Sequence, residues 1–244
     1  MFFGNFANID RRTILMIFGA CIIISLLLSG EFAAVLLTLP GVVIAMTFHE
    51  FAHAWMANKL GDTTPKAQGR LNLNPVSHID PFGFLLLLFA HIGWGRPVEI
   101  NPNNFTSNKS RETCELLVAI AGPIMNFILA FVFMIIYYAV WLYLNISAKW
   151  FILTLTIIEY AIYVNIGLGV FNLIPIPPLD GSKIFNRFLP YSAKEWIERN
   201  MQIIYIVFLV LWITGLLARL VAPVITLVFK GLNIVVAKIF SWFV

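Results

Sequence analysis

Residues 32–57, FAAVLLTLPGVVIAMTFHEFAHAWMA, form an apolar run whose only ionisable side chains are His49, Glu50 and His53. About 20 apolar residues are enough for a helix to cross the hydrocarbon core of a bilayer. A charged group at the centre of such a helix costs about 2.5–3.5 kcal/mol or more, and it usually marks a functional site. The run therefore predicts a membrane-spanning helix whose ionisable side chains serve a function.

The composition of the whole chain predicts an integral membrane protein. It is 60% hydrophobic and 11% charged, whereas soluble domains have about 25% charged residues. Besides 32–57, the apolar runs long enough to span are 13–30, 116–148, 150–179 and 201–218. The tail, 220–244, contains Lys230 and Lys238 and predicts either a sixth span, which we favour, or a surface-lying amphipathic helix. The predicted fold is an all-α polytopic membrane protein with about six transmembrane helices.

The positive charges predict the orientation in a cell membrane. Lysine and arginine are concentrated near the N-terminus, in 58–112 and in 180–200. Because cytoplasmic loops collect these residues, all these segments, the N-terminus included, are predicted to be cytoplasmic. No basic stretch has the character of a nucleic-acid patch, so we expect the lipid bilayer and membrane proteins as partners and no nucleic acid.

The segment between the second and third predicted spans contains a short apolar stretch flanked by turn-forming residues. Its stretch 82–95, FGFLLLLFAHIGWG, is apolar but too short to cross, which suits a re-entrant or membrane-associated loop with a short β element. Asn-Pro and Asp-Pro pairs around it mark turns. We see no repeat and expect one membrane-embedded domain over 1–244.

The sequence HEFAH, residues 49–53, has the pattern H-E-x-x-H. On a helix, His49 and His53 stand one turn apart on the same face and can hold one Zn²⁺. Glu50 lies beside that metal, where it can act as general base toward a zinc-bound water. The same residues could also form a pathway for protons or metal ions. The alternative function is therefore that of a membrane transporter.

A catalytic zinc site needs a third protein ligand. His78 and His91 are candidates, but Asp180 in NLIPIPPLDGSK, residues 172–183, is the sharper one. This stretch ends the fourth predicted span on the side where the second one ends. Its prolines prevent regular helix and Gly181 permits a tight turn, so the carboxylate is expected on irregular backbone that lines protein or water.

Asparagines in the apolar runs are further candidates. AGPIMN, residues 121–126, predicts a break or kink of the third span beside Asn126. Asn126 and Asn172 could each donate a hydrogen bond to a substrate or to a carbonyl oxyanion. Glu159 and Asn165 are weaker candidates, because each could simply form a hydrogen bond with a neighbouring helix.

Taken together, HEFAH, GPIMN and NLIPIPPLDG resemble, in kind and order, the motifs of the site-2 protease family of intramembrane zinc metalloproteases. RLNLNPVSHIDPFG (70–83) and GWGRPVEINPNNF (93–105) resemble the membrane-associated loop of its compact bacterial branch. The similarity covers a catalytic core at about 32–190, built on three spans, and leaves 191–244 as C-terminal helices. We expect neither a PDZ nor a CBS domain in this chain.

The resemblance implies a site and an activity. The implied zinc ligands are His49, His53 and Asp180, with one zinc per chain, and the implied catalytic base is Glu50. Asn172, and with it Asn126, would contact the substrate or the oxyanion. The implied activity is that of an endopeptidase that cleaves the transmembrane segment of a single-span membrane protein near the cytoplasmic face.

Two other functions are compatible with a metal site in the membrane. A metal-ion or proton transporter predicts ionisable residues through several spans, often with related halves. A scaffold with a structural zinc would use four ligands and has no need for Glu50. For a protease, the residues 95–105 could pair with an unwound substrate by strand addition. The sequence identifies neither the substrate nor any regulatory membrane partner.

Overall fold

A computed structural model of the protein describes residues 32–84, 95–144 and 148–242. The predicted span 13–30, most of the predicted re-entrant stretch 82–95 and His91 lie outside the described residues.

Helices account for the regular structure of the described residues, which confirms the predicted all-α class. In chain order they are α1 (Phe32–Lys59), α2 (Thr64–Ala67), α3 (Pro75–His78), α4 (Arg111–Tyr143), α5 (Ala148–Asn172), α6 (Asp180–Asn186), α7 (Tyr191–Arg199), α8 (Met201–Ile213) and α9 (Leu216–Phe240). A 3₁₀ turn, Pro102–Asn104, precedes α4. The only β pairing in the described part of the chain is an isolated antiparallel bridge between Ile79 and Gly95. The short β element expected from the sequence is thus represented, among the described residues, by this one bridge.

Four of these helices, α1, α4, α5 and α9, are long and apolar enough to cross a membrane. The predicted span 201–218 is not one continuous helix. The helix α8 has 13 residues, about 20 Å at 1.5 Å per residue, which is short of the roughly 30 Å that a crossing needs. It ends before Gly215, whose φ of 70° is left-handed, and α9 begins directly after it. The helices α7 and α8 meet at 74°. If they formed one broken span, the number of candidate spans among the described residues would rise from four to five.

The C-terminal helix α9 packs against α4 and α5, and its bounds confirm that the tail forms a helix able to span. The rings of Tyr163 and Phe229 are stacked with centroids 4.6 Å apart, and the Tyr138 hydroxyl donates to Asn233 Oδ1 at 2.9 Å. At its other end, Leu217 packs in a buried cluster with Leu179. Because Leu179 follows α5 and Tyr138 lies near the far end of α4, α9 runs antiparallel to α5 and ends on the face opposite to Lys59.

The catalytic core predicted from three spans corresponds to α1, α4 and α5, which pack directly on one another. A Cβ atom at Gly41 would stand 2.7 Å from Ala161 Cα, so glycine is needed for the close approach of α1 and α5. Two helices of this core contain an internal proline and neither is interrupted: α1 continues through Pro40 and α4 through Pro123. The expected break at AGPIMN is therefore not found.

The loop between α1 and α4 is anchored to the end of α1 by the buried carboxylate of Asp62. Its Oδ2 accepts from the Asn101 amide at 2.8 Å, and its Oδ1 accepts from Asn104 Nδ2 at 3.1 Å and from the Thr64 hydroxyl at 2.5 Å. Hydrogen bonds from these groups outweigh the opposing effect of burial and hold the pKa of Asp62 below its usual range. The loop is thus fixed beside the motif of α1.

Candidate metal centre

The two histidines of the motif lie side by side on α1. His49 and His53 are buried, with 5% and 8% of their surfaces exposed, and their rings meet edge to face with centroids 4.7 Å apart. Their Nε2 atoms are 3.1 Å from each other. The helical spacing therefore brings both imidazoles to one point, as the sequence predicts.

Asp180 reaches this point from α6, where it is the first residue of the helix. Its Oδ2 lies 3.1 Å from His49 Nε2 and 3.1 Å from His53 Nε2, and its side chain is 13% exposed. Among the described residues, these side chains form the one group of at least three histidine, cysteine or acidic residues that could hold a metal ion. The structure thus brings Asp180 to the histidines, whereas the alternative His78 is not in the group.

Hydrogen bonds at the outer nitrogens determine the tautomer of both imidazoles. His49 Nδ1 lies 2.6 Å from Asn126 Oδ1, and His53 Nδ1 lies 2.7 Å from the carbonyl oxygen of Val118. Both partners are oxygen acceptors, so each Nδ1 carries the proton and donates it. Each Nε2 then presents a lone pair toward Asp180, and the three inward-facing atoms are all electron donors.

This arrangement fits a zinc ion. When both imidazoles are neutral, these three electron-donor atoms repel each other unless a cation, either a proton or a metal ion, lies among them. Tetrahedral zinc with bonds of about 2.0–2.1 Å separates neighbouring ligand atoms by about 3.3 Å, close to the 3.1 Å found for each pair. Two histidines and one carboxylate leave a fourth position open, which is the arrangement of catalytic rather than structural zinc sites.

Asn126 is a supporting residue of this centre. It is fully buried, and besides its bond to His49 it donates from Nδ2 to the carbonyl of Ala45 at 3.1 Å and to Asn165 Oδ1 at 3.2 Å. Asn165 in turn donates to the carbonyl of Ala161 at 2.8 Å. Because the amide of Asn126 is engaged on both sides by protein groups, the geometry favours orientation of His49 over the substrate contact expected from the sequence.

Gly122 is a functional position that sequence reasoning treated only as part of a helix break. A Cβ atom there would lie 2.7 Å from His49 Cε1 and nearer still to His53 Nε2. The backbone of α4 thus forms the wall against which both rings pack. The available signal was the glycine itself, because glycine inside a helix costs about 1 kcal/mol relative to alanine and needs a packing reason.

Glu50 lies one residue from His49, and its carboxylate contacts the extended backbone of 95–98. Its Oε2 accepts from the amide of Val98 at 3.1 Å, and its Oε1 is 3.4 Å from the place that a Cβ of Gly95 would take. The residue as a whole is half-buried, and the loop holds its carboxylate through the Val98 amide.

The other sequence candidates are placed as follows. Asn172 donates from Nδ2 to the carbonyl of Leu168, one turn earlier in α5, at 3.0 Å; within the described residues no hydrogen bond joins it to the metal group. His78 is fully buried, and its Nε2 lies 2.7 Å from the carbonyl oxygen of Asn72. Burial lowers the pKa of His78 below its usual value and keeps it neutral. Glu159 is exposed on α5.

A polytopic helical protein with a buried two-histidine, one-aspartate group beside the glutamate of H-E-x-x-H has the donor set of a zinc metalloprotease. The sequence model of peptidase family M50 matches residues 37–149 and 140–215, and the chain belongs to that family. Similar proteins are consistent with this assignment. "Putative zinc metalloprotease YwhC" of Bacillus subtilis is 38% identical over 184 residues, which cover 75% of this chain and 83% of that protein.

A more distant relative, "Putative zinc metalloprotease Rip2" of Mycolicibacterium smegmatis, is 27% identical over 190 residues, which cover 75% of this chain and 69% of that protein. An archaeal protein, "Putative zinc metalloprotease MJ0611" of Methanocaldococcus jannaschii, is 32% identical over 96 residues, 39% of this chain and 44% of its own length. No solved structure matches the chain. The family and the donor set both indicate Zn²⁺ as the metal.

Proposed function

We propose that this membrane protein is an intramembrane zinc endopeptidase that cleaves the transmembrane segment of single-span membrane proteins near the cytoplasmic face. The observation that carries the proposal is the convergence of Asp180 Oδ2 with both Nε2 atoms at 3.1 Å, beside Glu50. His49 lies ten residues before the last residue of α1, about 15 Å along the helix. The centre is therefore inside a spanning segment and toward one end of it.

In this proposal His49, His53 and Asp180 hold the zinc. When bound, zinc supplies an activated water with a pKa near 7 and polarises the carbonyl under attack. Glu50 takes up the proton of the nucleophile and returns it to the departing amine, so one carboxylate serves as base and then as acid. Asn126 and the carbonyl of Val118 keep the imidazoles in the ligating tautomer throughout.

The proposed orientation follows from the basic loops. The loop between α1 and α4 and the residues after α5 lie on the same side, since Arg187 Nη1 donates to Thr113 Oγ1 at 2.8 Å and Lys194 Nζ lies 3.8 Å from Glu112. Both segments are rich in lysine and arginine, which favours the cytoplasmic side. Cleavage near that face would release a fragment to the cytosol.

The extended residues 98–100 are suited to bind an unwound substrate, with Asn172 as a second candidate contact. Within the described residues, no hydrogen bond engages the amides of Glu99 and Ile100 or the carbonyls of Val98, Glu99 and Ile100. A substrate helix hides its peptide groups in its own hydrogen bonds, so it must unwind before attack. Free backbone groups next to Glu50 could then pair with it as an added strand.

Glu99→Pro should lower kcat/KM for a helical transmembrane substrate by about tenfold, because it removes one backbone donor worth about 0.5–1.5 kcal/mol. Glu99→Ala keeps the amide and is the matched control, which should retain most of the activity. Both variants should contain as much zinc as the wild type. Equal kcat/KM for the two variants would exclude pairing through this amide.

Glu50→Gln tests the proposed function itself. In detergent or nanodiscs, with a panel of single-span substrates, turnover should fall by about 10²–10⁴-fold, the usual contribution of a general acid–base. Zinc measured by elemental analysis should stay near one ion per chain, since Glu50 is not a ligand. Glu198→Gln, an exposed glutamate on α7, is the matched control and should keep full turnover.

Two results would contradict the proposal. One is a Glu50→Gln variant that cleaves like the wild type. The other is a zinc-loaded wild type that cleaves no member of the panel but carries Zn²⁺ or protons across proteoliposomes, which would favour the transporter.

A further inference from the structure

The peptide group between Pro97 and Val98 lies between a buried arginine and Glu50. On one side the Val98 amide donates to Glu50 Oε2 at 3.1 Å. On the other side Arg70 Nη2 donates to the carbonyl oxygen of Pro97 at 2.9 Å and also to that of Arg96. One rigid peptide unit therefore connects the guanidinium of Arg70 with the carboxylate of Glu50.

Arg70 is unusual for a charged residue of a loop. It is 4% exposed, and arginine is seldom buried unless it is paired. Within the described residues no carboxylate lies at ion-pair distance from it, and its Nη1 is buried without a hydrogen-bond partner. Burial lowers the pKa of Arg70, although the group stays charged. The two backbone carbonyls are thus the partners that account for its burial.

The geometry of a peptide group explains what this contact achieves. A trans peptide is planar, and its C=O and N–H point in opposite directions. Fixing the Pro97 oxygen therefore fixes the direction of the Val98 amide hydrogen. The peptide dipole has its negative end at the cation of Arg70 and its positive end at the carboxylate of Glu50, so both charges favour the same orientation.

The rest of the segment 95–101 is held at its ends. The Arg96 amide donates to the carbonyl of His78 at 2.9 Å, and the Asn101 amide donates to Asp62 at 2.8 Å. These bonds fix where the segment begins and ends, but neither determines the rotation of the 97–98 peptide plane. The rotation of this peptide plane is instead restrained by the hydrogen bond from Arg70 to the Pro97 oxygen.

We propose that Arg70 is a positioning residue for Glu50, acting through the Pro97–Val98 peptide group. The inference rests on the proposed function for the role of Glu50, but its first test is independent of activity. In Arg70→Gln the peptide plane loses its cationic partner, so the Val98 amide should leave Glu50 part of the time. Arg70→Lys keeps a point charge with a shorter reach and should show an intermediate effect.

The first readout is amide hydrogen exchange at Val98 in the full-length protein in nanodiscs, measured by mass spectrometry with fragmentation. Exchange should be at least about tenfold faster in Arg70→Gln than in the wild type, with the Asn101 amide unchanged. Lys66→Gln removes one positive charge from an exposed side chain of the same loop and is the matched control, for which no change is expected.

The second readout is how the kinetic effect of Arg70→Gln divides between kcat and KM. A catalytic group displaced by about 1 Å can cost about 100-fold in rate, so kcat of Arg70→Gln should fall by about that factor, by more than any rise in KM. Zinc content and melting temperature should match the wild type, and Arg70→Lys should recover part of kcat.

The inference is wrong if Val98 exchange and kcat of Arg70→Gln stay within twofold of the wild type. It is also wrong if Arg70→Gln loses zinc and melts at a lower temperature while Val98 exchange stays at the wild-type rate, because Arg70 would then serve only the fold. If Glu50→Gln retains cleavage, the proposed function fails, while the exchange measurement still decides whether Arg70 orients the peptide group.

Discussion

Asp180→Asn should lower the zinc affinity of the purified protein by more than about 100-fold and abolish detectable cleavage. Loss of an outer-shell partner already costs about 10–100-fold in metal affinity, and in the proposed site Asp180 would supply a ligand atom and the only negative charge of the three. An asparagine would also offer an N–H donor to the two Nε2 lone pairs, 3.1 Å away. It could then close the site with hydrogen bonds in place of the metal.

Zinc titration with a competing chelator measures this effect, and melting temperature in excess chelator shows whether the fold survives. Asp80→Asn is the matched control: Asp80 Oδ1 accepts from the Gly83 amide at 2.7 Å, and an asparagine oxygen can do the same. An Asp180→Asn variant with wild-type zinc affinity would show that Asp180 is not a ligand.

Gly122→Ala should have an effect of the same size although it adds only one methyl group. The new Cβ would lie 2.7 Å from His49 Cε1 and closer to His53 Nε2, well inside van der Waals contact. The rings can yield only by turning away from their Nδ1 partners, Asn126 and the Val118 carbonyl. We therefore expect zinc affinity to fall by more than about 100-fold and cleavage to be lost.

Gly231→Ala provides the comparison for this variant. It also places alanine in a membrane helix, but a Cβ at Gly231 would meet nothing within 4 Å. Its zinc content and activity should equal those of the wild type. If Gly122→Ala also binds zinc normally, the inference that α4 packs closely against both imidazole rings is wrong.

The three residues of the candidate metal group could be brought together from sequence because their placement depends on local rules. His49 and His53 are joined by the helical repeat, and Asp180 follows once two chain segments are assigned to the same side. Asn126 and Gly122 could not be assigned in this way. Their contacts with the histidines depend on how α4 is rotated against α1, and AGPIMN specifies no rotation, because glycine, proline and asparagine are equally compatible with a break.

One part of the span assignment, a continuous helix over 201–218, is not found, for a different reason. Apolarity shows that 201–218 avoids water, but it does not distinguish a complete crossing from the 13-residue helix α8. Gly215 was the available signal, since its left-handed φ ends one helix and begins the next. Pro123 misled in the opposite direction: α4 continues through it, because packed helices tolerate proline in membranes.

The direction of α9 has a consequence for the two sides of the membrane. Since this helix starts beside Leu179 and ends beyond Tyr138, the proposed membrane orientation would place Ser241 and Trp242 at the face opposite to the basic loops. In that orientation the candidate metal centre, which lies toward the face of the basic loops, and the last described residues would meet different solvents, with different ions and different proteins.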